Sequence, residues 1–177
     1  MRETIRPSIN GRYVNLRDVE LSDATFILAL RTNEKKAKFL SKTENNLDKQ
    51  VNYLKRYKQL ENEWYFIIEN KKHEPLGTVR IYNIDYSTNE YTGGSWLMND
   101  NSSATEVLES NLLLKEFAFQ TLKFNKEKFD VRKKNIKVIR FHLLCGAEIV
   151  GEDESNYYFE LTKERHLKRK EKLFSLL

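Results

Sequence analysis

Apolar and polar residues follow two distinct spacings in the first third of the chain, which predict one strand and then two helices. Residues 13–16 alternate and predict a strand. Residues 21–30 have an amphipathic helical pattern, with Ser22 or Asp23 well placed to cap the helix. Residues 46–60 carry apolar side chains three and four positions apart, which predict a second helix.

The middle of the chain has the pattern of a hairpin followed by a further strand. Residues 65–68 and 76–82 predict two strands, joined by a turn over residues 70–75. Residues 91–98 predict the next strand. The pair Gly93-Gly94 within it suits a β-bulge, because glycine inside a strand often marks a bulge or a close backbone approach. A flexible bend is the alternative.

The remaining residues predict a buried helix and then a strand–helix–strand arrangement. Residues 105–122 are apolar on most sides, which predicts a long, buried helix. After this helix we expect a strand at 129–131, a helix opened by Asn135, strands at 147–151 and 157–161, and a basic helix over 163–177.

Length and composition predict one folded domain. A chain of 177 residues, 40% hydrophobic and 12% aromatic, can bury a core without metal or disulfide staples. No apolar run has the length of about 18 residues that a membrane span needs, and no signal peptide is evident. The one cysteine, Cys145, cannot form an internal disulfide, which fits a cytoplasmic location. We expect an N-terminal arm over 1–10, a domain over 11–162 and the basic helix over 163–177.

The positive charge is concentrated in that last helix. The net charge is +5, and residues 163–172 account for +4 of it. Since a nucleic-acid-binding protein more often has a basic stripe across its fold, we expect no nucleic-acid partner and a solvated basic face instead. Binding of this tail to nucleic acid or to an anionic surface is the alternative.

A group of residues in the second half carries the most specific signal. Asn135 opens a predicted helix, Val138 and His142 follow on it, and Gly146-Ala147 come after it. The group resembles the late motif of the GNAT superfamily of N-acetyltransferases, which usually has Asn, a small residue, Tyr and then Gly-Phe. His142 stands where tyrosine is usual, and Ala147 stands where phenylalanine is usual.

The start of the chain resembles the same superfamily. Residues 13–17, 20–24 and 30–31 are similar to the first strand and helix of the branch that acetylates ribosomal proteins. The similarity runs from about residue 11 to about residue 161. It implies an α/β fold of the α+β type, a single domain with a mixed, twisted sheet of about six to seven strands and flanking helices. It also implies acetyl-CoA as co-substrate.

The resemblance implies where the pantetheine arm of acetyl-CoA binds. A bulge in the strand at 91–98 would push it away from its parallel neighbour at 129–131 and leave backbone N–H and C=O groups unpaired. The pantetheine arm, a chain of amides, can pair with such groups as an added strand would. The residues expected to bind it are Trp96, Leu97, Met98 and Asn135.

The turn after residue 98 is the expected pyrophosphate site, because free N–H groups at a helix N-terminus attract anions. The residues expected to bind pyrophosphate are Ser102, Ser103, Ala104 and Thr105. The superfamily usually has Gln or Arg, then Gly, then Gly or Ala in this turn, and only Ala104 matches that pattern. Ser103 and Glu106 also form a Ser-x-x-Glu capping box, which explains the turn as a helix start.

Two residues are predicted to transfer protons. His142 would protonate the departing thiolate, as imidazolium or through a neutral N–H. The alternative is a helical histidine that only packs against the sheet. Glu90, or Asp85 just before it, would accept the proton of the acceptor amine, although each also fits an ordinary solvated turn residue.

Other chemistries lack their motifs in this sequence. It has no Cys/His cluster at zinc spacing, so we expect no metal site. It has no Gly-x-x-x-x-Gly-Lys loop, no Gly-x-Gly-x-x-Gly fingerprint and no Gly-x-Ser-x-Gly elbow. Cys145 lies in an apolar setting, so we expect a buried structural thiol.

The resemblance implies an acetyl-CoA-dependent N-acetyltransferase in which a primary amine attacks the thioester directly. Residues 129–135, 138–142 and 146–147 are similar to acetyltransferases of bacterial surface-polysaccharide synthesis, which implies an amino-sugar nucleotide as the small-molecule acceptor. A protein N-terminus is the runner-up acceptor. A non-catalytic GNAT-fold binding module is the third alternative. The apolar edge of the basic helix would pack on the domain or on a second subunit, and the latter would give a homodimer.

Overall fold

One sheet of eight strands organises the molecule, which is described here over residues 7–177 by a computed structural model. The strands are β1 (Ile9–Asn10), β2 (Val14–Asp18), β3 (Trp64–Asn70), β4 (Pro75–Asp85), β5 (Glu90–Met98), β6 (Lys126–Arg132), β7 (Glu148–Glu152) and β8 (Asn156–Thr162). Their order in the sheet is β1-β2-β3-β4-β5-β6-β8-β7. β5 and β6 are parallel, and the other described neighbours are antiparallel.

Six α-helices accompany the sheet in the described part of the chain. They are α1 (Ala24–Thr32), α2 (Glu34–Ala37), α3 (Leu47–Tyr57), α4 (Ala104–Glu116), α5 (Ile136–Leu144) and α6 (Lys163–Phe174). A short 3-10 turn (Leu21–Asp23) leads into α1, and a π-helical turn (Phe117–Thr121) extends α4. Side chains fix several helix starts: Asn46 accepts from the Lys49 amide and Thr162 accepts from the Arg165 amide.

Strand alternation divides the core between the two faces of the sheet. On β3, Phe66 belongs to a large cluster with the π-helical turn that extends α4, whereas Tyr65 and Ile67 pack with α1 and α3 on the other face. On β4, Val79 and Ile81 belong to the large cluster. The side chains between them therefore face α1 and α3, and this alternation decides which residues share a surface at the site.

The fold agrees with the predicted mixed sheet, but the strand count is higher than the predicted six to seven. The additional strand is β1, in which Ile9 pairs with Leu16 and Asn10 pairs with Asn15. Residues 1–6 of the expected arm lie outside the described residues. A two-residue strand has no periodicity to detect, which is why the hydrophobic pattern did not predict it.

The basic helix α6 packs on the domain. Leu173 is buried beside Leu112 of α4, and His166 is 1% exposed, with its Nε2 2.6 Å from Glu116 Oε1. Leu167 and Phe174 remain exposed on the outer side. The sequence predicted that this helix packs either on its own domain or on a second subunit. In the described residues it packs on its own domain. No helix in residues 7–177 is long and apolar enough to cross a membrane.

Candidate active site

The parallel strands β5 and β6 pair at one end and separate at the other. Glu90, Tyr91 and Thr92 pair with residues 126–128, and no described residue of β6 pairs with residues 93–98. On their other side, Leu97 and Met98 pair with β4. The edge of Trp96, Leu97 and Met98 that faces β6 therefore has no strand partner, as expected for a gap that can take an extended amide chain.

A β-bulge lies next to this gap. Thr78 pairs with Leu97 and Arg80 pairs with Gly94, so Ser95 and Trp96 together oppose a single residue of β4. Ser95 has a φ of 49°, and its carbonyl accepts a hydrogen bond of 2.7 Å from the Thr78 hydroxyl. The predicted bulge is confirmed, but its extra residue lies just after the glycine pair.

The two glycines allow neighbouring side chains to come close to both faces of β5. A Cβ at Gly93 would overlap the carboxylate of Glu127, and a Cβ at Gly94 would come within 2.8 Å of the Tyr82 ring. The glycine pair therefore marked an unusual position in the strand, as predicted. Glycine is needed there because the side chains of Glu127 and Tyr82 occupy the space that a Cβ would take.

The gap opens into a cleft of about 510 Å³. Its walls come from β4, β5, β6, α4, α5 and the segment that begins with α2. Among the predicted residues, the cleft brings together Trp96, Leu97, Met98, Asn135 and His142. Ser102, Ser103, Ala104 and Thr105 lie just beyond it, between the wall residues Met98 and Val107.

Asn135 is half-buried at the start of α5 and lines the cleft. Its backbone carbonyl accepts the first helical bond, from the Ile139 amide, but its side chain makes no capping hydrogen bond. The side-chain amide is therefore free to bond a ligand in the gap, as its predicted role requires.

The turn before α4 contains the predicted capping box and also has backbone N–H groups that could bind pyrophosphate. Ser103 and Glu106 form the capping box, in which the Ser103 amide donates to Glu106 Oε2 over 2.7 Å. Within the described chain, the amides of Ser102, Ala104 and Thr105 have no hydrogen-bond partner. The cap thus occupies one of the four predicted N–H groups and leaves three without a partner among the described residues.

Positive charge from α2 approaches the same turn. Lys36 Nζ lies 2.6 Å from Asp100 Oδ1, and Lys35 and Lys36 both line the cleft. This ion pair lowers the pKa of the Asp100 carboxyl and offsets its negative charge. The lysine pair was missed from the sequence, since a short basic run on a four-residue helix looks like any solvated surface.

His142 is buried among aromatic rings. Its ring centroid lies 4.3 Å from that of Phe129 and 5.6 Å from that of Trp96. Burial, with a smaller contribution from the nearby charge of Lys115, lowers the pKa of His142 to about 3. Of the two predicted forms of the donor, the neutral N–H is therefore the one present at neutral pH.

Glu90 lies apart from the other candidates. It sits at the paired end of β5, where its carboxylate binds Lys128 and lies 3.0 Å from Lys126 Nζ. It does not line the cleft, and neither does Asp85. The lysines hold the pKa of Glu90 below its ordinary value, so it is a weak base. Its role as a proton acceptor stays a prediction that this geometry does not favour.

Besides Lys35 and Lys36, further charged residues that the sequence did not single out line the cleft, among them Lys115, Glu127 and Asp130. Lys115 and Glu127 form a buried ion pair, and Asp130 is exposed on the opposite face of β6. The resemblance in residues 129–135 included Asp130 only as part of a run. Single charged residues carry no periodic signal, so their convergence on one cavity is visible only in the folded chain.

The sheet face that carries Asp130 also carries a cluster of aromatic and arginine side chains. We call it the Arg80 cluster; it consists of Arg31, Tyr53, Tyr65, Arg80 and Tyr82. The Arg80 guanidinium lies 4.7 Å from the ring centroid of Tyr82, 5.3 Å from that of Tyr65 and 5.5 Å from that of Tyr53. Tyr82 connects the cluster to the cleft because it covers Gly94.

Comparison with known proteins agrees with this geometry. The family model described as an acetyltransferase (GNAT) domain matches residues 14–148, which is more than half of the chain. No curated protein matches the chain at a significant level.

Among solved structures, FdhC, described as a nucleotide-linked sugar GNAT, is 35% identical, with 95% of this chain and 97% of that chain covered and a TM-score of 0.86. A GCN5-related N-acetyltransferase from Brucella melitensis is 15% identical, with coverages of 98% and 86% and a TM-score of 0.81. A chimera of the spermidine N-acetyltransferase SpeG from Vibrio cholerae and hSSAT is 15% identical, with coverages of 88% and 99% and a TM-score of 0.78. The last two show the fold alone. The chain therefore belongs to the GNAT acetyltransferase family and is an acyl-CoA N-acetyltransferase.

Proposed function

We propose that this enzyme transfers the acetyl group of acetyl-CoA to the primary amine of an amino-sugar nucleotide. The observation that carries the proposal is the 35% identity, over 95% of the chain, to a protein described as a nucleotide-linked sugar GNAT. The spermidine enzyme supports only the fold, because its identity is 15%.

The cleft fits acetyl-CoA, which supplies the acetyl group as a thioester. The unpaired edge of β5 at Trp96–Met98 and the free side chain of Asn135 would hold the pantetheine amides. The free amides before α4 would bind pyrophosphate, and Lys35 and Lys36 would add positive charge there.

His142 suits the leaving-group side of the reaction. Its neutral ring has one N–H that can donate a hydrogen bond to the sulfur as the thiolate departs. The surrounding rings of Phe129, Trp96 and Phe141 exclude water and fix the ring orientation. A neutral donor in a dry site is strengthened by the low local dielectric constant.

The opposite sheet face suits the acceptor. Asp130 offers a negative charge to an incoming ammonium group. The Arg80 cluster adds tyrosine rings and two guanidinium groups, of which that of Arg80 also pairs with Glu63 and that of Arg31 also donates to Thr43 and Ser41. Guanidinium groups are the preferred partners of phosphates, and aromatic rings stack on nucleobases. An amino-sugar nucleotide has an ammonium, a diphosphate and a base, so its charge pattern complements this surface.

An acceptor panel tests the proposal. The purified enzyme is incubated with acetyl-CoA and, separately, with UDP-glucosamine, dTDP-linked amino sugars, glucosamine, spermidine or a peptide with the N-terminus of a ribosomal protein. UDP-glucose, which lacks the amine, is the control. CoA release and the mass of the product are measured. We expect acetylation of a nucleotide-linked amino sugar, with weak or no reaction of free glucosamine and the peptide. Acetylation of the peptide or spermidine alone would refute the acceptor assignment.

A further inference from the structure

A charged pair is buried at the closed end of the cleft. Lys115 of α4 and Glu127 of β6 form an ion pair between Lys115 Nζ and Glu127 Oε1, and their side chains are only 3% and 1% exposed. Both residues line the cleft. Glu127 Oε2 is buried and has no hydrogen-bond partner among the described residues. One carboxylate oxygen is thus held by lysine and the other is left unbonded beside the cavity.

Stability does not explain this arrangement. Removing two charges from water costs several kcal/mol per ion, and well-packed apolar side chains in place of such a pair are often as stable or more so. An unbonded buried acceptor adds a cost of about 1–3 kcal/mol. The strand also gives up a side chain at Gly93 to make room for the carboxylate. A buried, unpaired polar atom in a cavity wall therefore points to a functional contact.

The groups around Glu127 come from the elements packed against β6. Lys115 faces it from α4, Tyr91 from β5 and Cys145 from the end of α5, while the paired residue on β8 is the apolar Leu161. Burial raises the pKa of the Glu127 carboxyl, and Lys115 opposes that shift. Burial also raises the pKa of the Cys145 thiol to about 11, so this thiol stays protonated at neutral pH.

The reaction needs a base. At neutral pH an alkylamine acceptor is an ammonium ion, which has no lone pair and cannot attack a thioester. His142 cannot take the proton, because its pKa is lowered to about 3. Glu90 is outside the cleft. Asp130 lines the cleft but is exposed to solvent, and its proposed role is to attract the ammonium group.

We propose that Glu127 accepts, through water in the cleft, the proton that the acceptor ammonium must lose, and that Lys115 positions its carboxylate. The first N–H bond breaks, its proton moves to water, and water delivers a proton to Glu127 Oε2. The free amine then forms the C–N bond while the C–S bond breaks. A second amine proton ends on the CoA sulfur, and the proton on Glu127 leaves to solvent through the open end of the cleft.

The test is the pH dependence of turnover in Glu127→Gln. Near neutral pH we expect kcat to fall about 100-fold, the low end for loss of a general base. The deficit should shrink as pH rises to the point where the acceptor amine is itself uncharged. Glu154→Gln, an exposed change in the β7–β8 turn, is the matched control and should behave as wild type.

UDP-glucosamine is the acceptor in this test, and spermidine replaces it if UDP-glucosamine is not acetylated. Either amine must lose the same proton, so failure of the sugar-nucleotide assignment and failure of this proposal remain distinguishable. Acetyl-CoA affinity and the melting temperature are measured on the same samples. A folded Glu127→Gln with wild-type affinity and wild-type turnover would overturn the proposal, and so would a deficit that is equal at every pH.

Glu127→Gln leaves Lys115 buried without its charged partner, which could prevent folding. The double variant Lys115→Met/Glu127→Leu removes both charges and avoids this problem. It replaces the pair by apolar side chains and should fold, yet show the same pH-dependent deficit. If neither variant folds, the pH dependence of kcat in the wild-type enzyme tests the proposal. This kcat must rise with pH between about pH 5 and about pH 9 through one ionisation, as a general base requires, and a flat profile would overturn the proposal.

Discussion

At the scale of single residues, the site separates two proton-transfer tasks by environment. His142 lies among aromatic rings and stays neutral, so it can donate a hydrogen bond but not accept a proton. Glu127 is buried as well, but Lys115 holds one of its carboxylate oxygens and the other has no partner among the described residues. Such a separation of titratable groups is how one site handles both an acid and a base at the same pH.

The burial of His142 makes a testable contribution to pH-dependent stability. Its pKa is about 3 in the folded state and near 6.5 in the unfolded state, so the unfolded chain binds more protons between these values. Stability from this residue is complete above the unfolded pKa and is lost as pH falls towards the folded pKa. We expect wild type to lose about 2 kcal/mol more of its unfolding free energy than His142→Phe between about pH 7 and about pH 5.

Urea denaturation of both proteins at the two pH values measures this difference. His166, whose pKa burial also lowers, is present in both proteins and cancels in the comparison. Equal pH dependence in wild type and His142→Phe would mean that His142 is solvated and protonated in the folded enzyme.

At the scale of elements, β5 is the strand that makes the site. It pairs with β6 at its start, bulges at Ser95 and Trp96, and then runs beside the gap. The sequence predicted a bulge from two glycines, but their direct role is to admit the side chains of Glu127 and Tyr82. Local sequence indicates an unusual backbone, whereas the reason for it comes from strands and helices distant in the chain.

Replacement of Gly93 by alanine tests how tightly this strand is packed. The new Cβ would overlap the Glu127 carboxylate, so we expect a loss of about 1–3 kcal/mol of unfolding free energy, typical of overpacking. Activity should fall as well, because the carboxylate would have to move. Gly151→Ala on β7 is the matched control, since its Cβ would meet only an ordinary contact at 3.8 Å from Tyr158. Equal thermal stability of the two variants would contradict the close approach.

At the scale of the whole molecule, the sequence predicted the order of the elements and the family well. Strands and helices with clear periodicity, such as those at 65–68 and 46–60, appear as β3 and α3 with slightly different ends. Short or non-periodic features were missed, including β1 and the π-helical turn after α4.

The candidate site was predicted in part for a related reason. Asn135 and His142 were found because they stand at fixed spacing on one helix. Lys115 and Glu127 come from different elements and meet only through the sheet topology. The Arg80 cluster likewise gathers residues from α1, α3, β3 and β4. Long-range convergence of this kind leaves no mark in local sequence.

Calorimetric titration with acetyl-CoA shows whether the gap between β5 and β6 is the acyl-CoA site. CoA and desulfo-CoA are the ligand controls, and Asn135→Ala removes a side chain that makes no capping bond. We predict one site per chain with micromolar affinity, about −8 kcal/mol, and weaker binding to Asn135→Ala. No binding at millimolar acetyl-CoA, or unchanged affinity in a folded Asn135→Ala, would contradict the placement of the co-substrate in this gap.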